Sequence, residues 1–195
     1  MPLLRDAFAA LWRSTRNRGG LRLEALRGMR LRLGAGPLLQ GGEHLLAGRG
    51  VVLDIYGTIS LGRGVTLSDG CLLRAGPGAH LALGDGVFVG RGTVIAAHGS
   101  ITVGPRTLIA EHATIRDSDH ALGAEERRAQ QDTIEPVTLG QDVWIAAGAR
   151  VLRGSQLGDG VVVAANSVVK GTVGPGLVVA GAPARVVKRV DDGPG

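Results

Sequence analysis

The sequence predicts an all-β coil with three short parallel strands in each turn. A branched aliphatic residue recurs every six positions, and the step breaks only after the third member of a triplet, by four, two and eighteen extra residues. Because one short unit cannot bury its apolar side alone, such a repeat indicates coils stacked on one another. The five triplets are Leu61, Leu67 and Leu73; Leu83, Val89 and Ile95; Val103, Ile109 and Ile115; Leu139, Ile145 and Val151; and Leu157, Val163 and Val169.

The composition agrees with a narrow interior. Of 195 residues, 44% are hydrophobic but only 3% are aromatic, and 33 are glycine. Small branched side chains fill a thin coil, whereas an ordinary globular core uses more large rings. Glycine follows the first member of every triplet, and we expect these glycines at corners that need a positive φ. They are Gly62, Gly84, Gly104, Gly140 and Gly158.

We divide the chain into a leader at 1–36, a coil body at 37–182 and a tail at 183–195. The eighteen-residue insertion predicts a protruding polar loop at 121–138, and long loops in compact repeats are usually functional. The leader has a net charge of +6, which leaves −1 for the rest of a chain whose total is +5. Its apolar stripe predicts a helix that covers the open first coil or one that touches an anionic membrane surface. The stripe consists of Leu4, Ala7, Phe8, Leu11 and Trp12.

Several classes of protein are disfavoured by the same features. The net positive charge lies in the leader and the coil is nearly neutral, which is not typical of a nucleic-acid-binding domain, so we expect no nucleic-acid partner. The one cysteine, Cys71, occupies an inward slot of its hexad and fits a reducing compartment. No apolar run reaches the ~20 residues of a membrane span, and no signal peptide is evident. We therefore expect a cytoplasmic protein, with weak membrane contact through the leader as the alternative.

His120 is the strongest candidate for catalysis. It ends the hexad that begins at Ile115, at the root of the polar loop, and carboxylates precede it at Asp117 and Asp119. A partly shielded imidazole whose tautomer is fixed by a carboxylate can act as a general base near pH 7. Spacing alone is equally compatible with an exposed corner histidine. A metal site is disfavoured, because His112 and His120 lie eight residues apart at different corners of one coil.

Three motifs resemble those of one family. Residues 137–145 resemble the signature that precedes the acyl-CoA groove of the hexapeptide-repeat acyltransferases, and residues 181–186 resemble their closing motif. Residues 120–127 resemble the catalytic stretch of the sugar O-acetyltransferases that act on galactosides, maltose or nodulation oligosaccharides. The resemblance implies a left-handed parallel β-helix that works as a homotrimer, with acetyl-CoA as donor and no metal.

The family resemblance also implies roles for individual residues. His120 would accept the proton of a sugar hydroxyl during direct transfer, with Asp117 or Asp119 orienting its ring. The N–H of Ala147 would bind the oxyanion, and Trp144 would line the pantetheine channel. The residues expected to border the adenosine phosphates are Ala165, Lys170 and Arg185 or Lys188.

Departures from the family motif affect the expected acceptor. Ala121 stands where the family has proline after the histidine, and residues 88–92 lack the tyrosine and asparagines that bind simple galactosides or maltose. We therefore expect an acceptor sugar within a cell-surface polysaccharide, a lipopolysaccharide or a secreted glycan. Its expected contacts are Phe88, Arg91, His98 and Glu126. The alternatives are N-acetylation of an amino sugar nucleotide, a non-catalytic β-helical scaffold and a zinc-dependent lyase of the same fold.

Overall fold

A computed structural model describes residues 26–30, 35–125, 129 and 132–192. Over these residues the chain winds into a prism with three faces of parallel strands, here called faces A, B and C. The predicted fold class, a left-handed parallel β-helix of hexapeptide repeats, is confirmed. Each coil contributes one short strand to each face in the order A, B, C, and the next coil then adds a strand alongside.

The strands are numbered along the chain and are grouped by face. Face A contains β1 (Leu39–Gly41), β4 (Thr58–Leu61), β7 (His80–Leu83), β10 (Ser100–Val103), β15 (Val137–Leu139), β18 (Gln156–Leu157) and β21 (Thr172–Val173). Face B contains β2 (Leu46–Ala47), β5 (Thr66–Leu67), β8 (Phe88–Val89), β11 (Leu108–Ile109), β16 (Trp144–Ile145), β19 (Val162–Val163), β22 (Leu177–Gly181) and β23 (Ala184–Arg189). Face C contains β3 (Val52–Ile55), β6 (Leu72–Ala75), β9 (Val94–Ala97), β12 (Thr114–Arg116), β17 (Arg150–Val151) and β20 (Val168–Val169).

The core consists of the triplet residues stacked in columns. On face B, Leu67, Val89, Ile109, Ile145 and Val163 stand in one register, and each is at most 1% exposed. Faces A and C carry the equivalent columns, so the period of six is the repeat of core positions. The columns bury almost purely aliphatic side chains, which is the main stabilising contribution for such a coil.

Cys71 lies inside the coil, as its slot predicts. Its side chain is fully buried, and Sγ lies 3.0 Å from the carbonyl oxygen of Gly90. Burial raises the pKa of the Cys71 thiol to about 11. The thiolate is therefore a minor species at neutral pH, and the residue behaves as a small core side chain.

The glycines after the first member of each triplet are required for a different structural reason from the predicted one. They lack a positive φ; the left-handed positions lie two residues further on, as at Gly64 and Gly86. A Cβ on Gly84 or Gly158 would instead lie 2.7 Å from the backbone nitrogen of the proline in the next coil. These glycines thus permit close stacking of successive corners, and the positive φ of the corner turn falls two residues later, at glycine, Arg106 or Asp142.

The eighteen-residue insertion forms an antiparallel β-hairpin at the corner between faces C and A. Strand β13 (Ser118–His120) pairs with β14 (Asp132–Ile134), and His120 lies opposite Asp132. The loop proposed at 121–138 is thus shorter, since Asp132–Ile134 and Val137–Leu139 are strands. The term "hairpin" below refers to the described residues between 117 and 135.

Both ends of the coil are covered by further structure. Residues 26–30 are helical, and Gly28 lies directly against the carbonyl group of Leu45 in the first coil. The stripe predicted from Leu4 to Trp12 lies outside the described residues. At the other end the Ala182–Pro183 peptide is cis, and residues 184–189 fold back as the antiparallel strand β23. Two 3-10 turns, Gly36–Leu38 and Val190–Asp192, flank the coil.

Among the described residues, no helix has the length and apolar character that crossing a membrane requires.

Candidate functional site

A cleft of about 360 Å³ lies on the outer surface of face C, where the hairpin folds over it. Leu72, Val94 and Ala96 of β6 and β9 form an apolar floor. The hairpin contributes one wall, and two arginines and a histidine of the coil complete the lining. These remaining residues are Arg74, His98, Arg116, Ser118, Asp119, His120 and Asp132.

His120 and Asp132 form a hydrogen-bonded pair in this wall. Nδ1 of His120 lies 2.7 Å from Oδ1 of Asp132, because the antiparallel register places the two residues opposite each other. The imidazole is 79% exposed and the carboxylate 21%. An ionised carboxylate only accepts hydrogen bonds, so in the neutral imidazole this contact favours the tautomer with the proton on Nδ1 and a free lone pair on Nε2. The pair can therefore accept a proton from a bound hydroxyl or amine.

The two carboxylates predicted to orient His120 have other partners. Asp117 is fully buried, and its oxygens accept hydrogen bonds from the backbone N–H groups of His98 and Gly99, both at 2.8 Å. Asp119 accepts a hydrogen bond from Nε of Arg153 at 2.7 Å. The predicted orienting role thus falls to Asp132, because pairing across the hairpin turns that side chain toward the imidazole.

Arg153 ties both hairpin strands to the coil. Its guanidinium donates to Asp119 before the loop and to Glu135 after it, and its side chain is only 18% exposed. Backbone hydrogen bonds reinforce the attachment, from Glu135 N–H to the Asp117 carbonyl at 2.9 Å and from Gly154 N–H to the Glu135 carbonyl at 3.1 Å. A planar guanidinium is well suited to join the two strands, since its N–H groups donate in fixed directions and can bind two carboxylates at once.

Of the residues expected to contact the acceptor, His98 lines the cleft. Its Nδ1 lies 2.9 Å from Oγ of the buried Ser118. Phe88 lies instead on face B, and Arg91 lies at the following corner with Nη2 3.8 Å from Oδ2 of Asp69. Within one chain both are therefore on a different side from the cleft. Glu126 lies outside the described residues.

Most residues expected to contact acetyl-CoA lie along face B and its edge with face C. Trp144 is 39% exposed, and its outward row continues through Val162 and Val178 to Lys188 on β23. Ala165 stacks beside Ala147 at the next corner, since the N–H of Asn166 donates to the Ala147 carbonyl at 2.9 Å.

Arg185 lies three residues before Lys188 on β23 and is exposed. Lys170 is also exposed, but it follows β20 at the corner between faces C and A. It is thus separated from Trp144 and Ala147 by the width of face C within one chain.

Sequence reasoning missed Asp132, Arg74 and Arg116. In the sequence Asp132 belongs to the polar loop, and only the antiparallel pairing reveals that it faces His120. The arginines did carry a signal: each follows the third member of its triplet, after Leu73 and Ile115. That slot points outward on face C, so two arginines in it predict positive charge on one face.

The described residues contain no group of three or more histidine, cysteine, aspartate or glutamate side chains that could hold a metal ion.

The comparisons with known proteins agree with the repeat. Residues 136–171 match the family model described as "Bacterial transferase hexapeptide (six repeats)". Over 53 residues the chain is 47% identical to WbbJ of Escherichia coli K12, named for O-acetyl transfer in lipopolysaccharide biosynthesis, covering 27% of each protein. Over 57 residues it is 49% identical to a 2,3,4,5-tetrahydropyridine-2,6-dicarboxylate N-acetyltransferase of Clostridium perfringens, covering 29% of this chain and 24% of that protein.

A solved structure resembles nearly the whole coil. AntD, an N-acyltransferase from Bacillus cereus in complex with dTDP and 3-hydroxybutyryl-CoA, superposes with a TM-score of 0.71. The match covers 83% of this chain and 87% of that one at 21% identity, so it shows the fold alone.

These matches confirm the resemblance to the hexapeptide-repeat acyltransferases. The curated relatives include both an O-acetyl and an N-acetyl transferase. The chain spans about a quarter of the length of the two curated relatives given above.

Proposed function

We propose that this protein is an acetyl-CoA-dependent acyltransferase that acetylates a hydroxyl group of a sugar. The observation that carries the proposal is the His120–Asp132 pair, held at 2.7 Å in the wall of a cleft large enough for a sugar unit. The fold supports it, because a structurally similar protein binds an acyl-CoA. The acceptor class rests on WbbJ, whose name refers to lipopolysaccharide biosynthesis.

The proposed reaction is a direct transfer. Nε2 of His120 accepts the proton of the sugar hydroxyl while that oxygen attacks the thioester carbonyl carbon of acetyl-CoA. The tetrahedral intermediate collapses with cleavage of the C–S bond, and the imidazolium returns the proton to the CoA thiolate. Asp132 stabilises the imidazolium through Nδ1 and fixes the tautomer that leaves Nε2 unprotonated. General-base catalysis of this kind contributes about 10²–10⁴ in rate.

The donor side of the proposal uses face B. Trp144 would pack against the pantetheine arm, and the N–H of Ala147, which donates no backbone hydrogen bond within the described residues, would bind the oxyanion. Such a donor is worth about 3 kcal/mol. The cations proposed to border the CoA phosphates, beside Ala165, are Lys170, Arg185 and Lys188.

The donor and base residues lie on different sides of one chain, which favours a shared site. His120 stands at the corner between faces C and A, whereas Trp144 lies on face B at 39% exposure, in an outward row with the half-buried Val162 and Val178. We therefore place the reaction between two protomers of a homotrimer, with face B of one against the hairpin of the next. The same proposal puts the reaction in the cytoplasm, with the basic leader as a contact for the inner face of the membrane.

A second candidate function is N-acetylation of an amino sugar nucleotide. The fold of AntD and the N-acetyltransferase among the curated relatives favour it, and the His120–Asp132 pair would serve an amine equally well. Chemistry separates the two functions, because an ester is cleaved by mild alkali or neutral hydroxylamine and an amide is not.

The test is to incubate the protein with acetyl-CoA and a panel of sugars and amino sugar nucleotides. Release of CoA is followed, and products are detected by mass spectrometry before and after hydroxylamine. The proposal predicts a hydroxylamine-labile acetyl sugar that the His120→Ala variant does not form. A hydroxylamine-stable product would support the N-acetyl alternative, and absence of acetyl-CoA binding would favour a non-catalytic scaffold.

A further inference from the structure

We infer that the acceptor is anionic, and that Arg116 binds its carboxylate or phosphate group beside His120. This inference rests on the proposed acyl transfer and specifies its substrate class. It comes from the arrangement of charge in the cleft on face C, where one guanidinium has no counterion among the described residues.

The register of face C places two arginines on either side of an alanine. Arg74 of β6 is aligned with Ala96 of β9, which is aligned in turn with Arg116 of β12. Neighbouring strands lie about 4.8 Å apart, so the two arginine backbones are separated by roughly 10 Å. The small side chain of Ala96 leaves the space between them open above the cleft floor.

The other arginine and the two carboxylates that line this cleft each have a partner of opposite charge or a hydrogen-bonded histidine. Arg74 is held on its far side, with Nη1 3.2 Å from Oδ2 of Asp54 and its guanidinium 5.8 Å from the centre of the Tyr56 ring. Asp119 binds Arg153, and Asp132 binds His120.

Arg116 differs from these groups. Its side chain lines the cleft and is exposed, and the described part of the chain offers it no carboxylate within 4.0 Å. A guanidinium matches carboxylates and phosphates in shape as well as charge, and can bind either through two parallel hydrogen bonds. The cleft therefore offers a site for one oxyanion group at Arg116.

Position along the chain ties this site to the chemistry. Arg116 ends β12 on face C, and His120 follows four residues later on β13 of the hairpin, and both side chains line the same cleft. An acceptor that reached both would place its oxyanion and its reacting hydroxyl on one sugar unit or on a sugar and its attached phosphate. The cleft volume of about 360 Å³ agrees, since it lies near the lower end of the roughly 300–1,000 Å³ of ligand pockets.

The test compares three acceptors with one ring and different charges: methyl glucoside, glucuronate and glucose 1-phosphate. The wild-type protein is compared with Arg116→Gln and with the control Arg63→Gln. Arg63 lies at the corner between faces A and B, is 71% exposed and is paired with Glu43. The control thus removes the same charge from the same type of exposed side chain outside the cleft.

Two quantities are measured for each protein: acceptor binding by NMR or calorimetry without acetyl-CoA, and kcat/KM for acetyl transfer. We expect wild type to bind at least one of the anions more tightly than the neutral glucoside, and added salt to weaken that binding. Arg116→Gln should lower binding and kcat/KM for that anion by at least about 10-fold, as for a lost charge-assisted hydrogen bond. Arg63→Gln should leave both quantities unchanged.

The pattern across acceptors decides the outcome. A preference for glucuronate identifies an acidic sugar, and a preference for glucose 1-phosphate identifies a sugar phosphate. The inference is overturned if wild type binds the neutral glucoside as well as it binds the anions, if it binds neither anion, or if Arg116→Gln weakens neutral and anionic acceptors equally. The binding measurement stands without turnover, so loss of the proposed transferase function alone is distinguishable from failure of this site.

Discussion

The coil and the hairpin of this protein are built on opposite principles. In the coil, each core position is repeated in every turn, so that Ile109 has equivalents above it at Val89 and below it at Ile145. In the hairpin, each contact occurs once: His120 with Asp132, Asp119 with Arg153, and Asp117 with the backbone at 98–99. The coil is redundant, whereas the hairpin depends on a few individual side chains.

This difference indicates a separation of tasks. The columns of the coil supply most of the buried apolar surface and hence most of the stability. The hairpin is held mainly by polar contacts at its root, and it supplies part of the cleft wall and His120, the base in the proposed reaction. Substitutions in the coil should therefore change stability first, and substitutions in the hairpin should change activity first.

The largest expected effect on stability is that of Ile109→Ala. Ile109 is fully buried in the face B column, and such a truncation should lower the free energy of unfolding by about 2–5 kcal/mol. The matched hairpin substitution is Ile134→Ala, whose side chain is 47% exposed, and we expect it to cost under about 1 kcal/mol. Urea denaturation of both variants measures the two values. Equal losses would contradict the separation between coil and hairpin.

Asp132→Asn tests whether a substitution in the hairpin lowers activity without lowering stability. The amide can donate to Nδ1 and favour the wrong tautomer of His120, and it removes a hydrogen bond to an ionised group worth about 1.5–3 kcal/mol. We expect kcat to fall by about 10–150-fold, with the melting temperature unchanged.

The control for Asp132→Asn is Asp85→Asn in the coil. Oδ1 of Asp85 accepts a hydrogen bond from the Arg63 N–H at 2.8 Å, at a corner away from the cleft. This variant should affect stability and leave kcat unchanged. The assignment of Asp132 as the orienting residue fails if the two variants have the same kcat.

Two arginines that form ion pairs with carboxylates, one at the hairpin and one in the coil, allow a further comparison of the two regions. Arg153 joins the hairpin strands, whereas Arg106 pairs with Asp142 in the coil through hydrogen bonds of 2.8 and 2.6 Å, which raise the pKa of the guanidinium. Arg153→Ala should release the hairpin root and lower kcat by roughly 10-fold, the effect of about 1.4 kcal/mol. Arg106→Ala should leave kcat unchanged. Partial recovery of kcat in Arg153→Lys would show that position and charge both contribute.

The smallest expected effect is the pH dependence of stability that comes from the buried thiol of Cys71 in the coil. Burial raises the pKa of Cys71 from its ordinary value of 9.0 to about 11, so the unfolded chain loses this proton at a lower pH than the folded one. The contribution of the buried, neutral thiol to the free energy of unfolding is fully present below pH 9.0 and is lost as the pH rises toward 11. It amounts to about 1 kcal/mol between pH 8 and pH 10. Cys71→Ala should reduce this alkaline loss in urea denaturation curves, and an unchanged pH dependence would contradict it.

The same contrast explains how far the sequence predicts the structure. The coil follows from the period of six, because every column position is marked by a branched aliphatic residue and the triplets give the three faces. Even so, the period does not reveal why glycine follows Leu83 and Leu157. The constraint on these glycines is the approach of the next coil, which no local turn pattern reveals.

The hairpin is predictable only in part. The sequence places His120 at its root, since the break in the period after Ile115 is visible. The partner Asp132 is twelve residues away, across an antiparallel pairing that has no periodic signal. Asp117 and Asp119 lie within three residues of His120, but the local strand geometry and the position of Arg153 direct them to other contacts.

In the proposed function the hairpin carries the chemistry, while the coil binds the acyl donor. The most direct test measures acetyl-CoA affinity by calorimetry together with thioester turnover, for wild type and His120→Ala. We predict equal affinities and a turnover that falls by about 10²–10⁴ in the variant. Equal turnover in both proteins, or no acetyl-CoA binding by either, would contradict the claim.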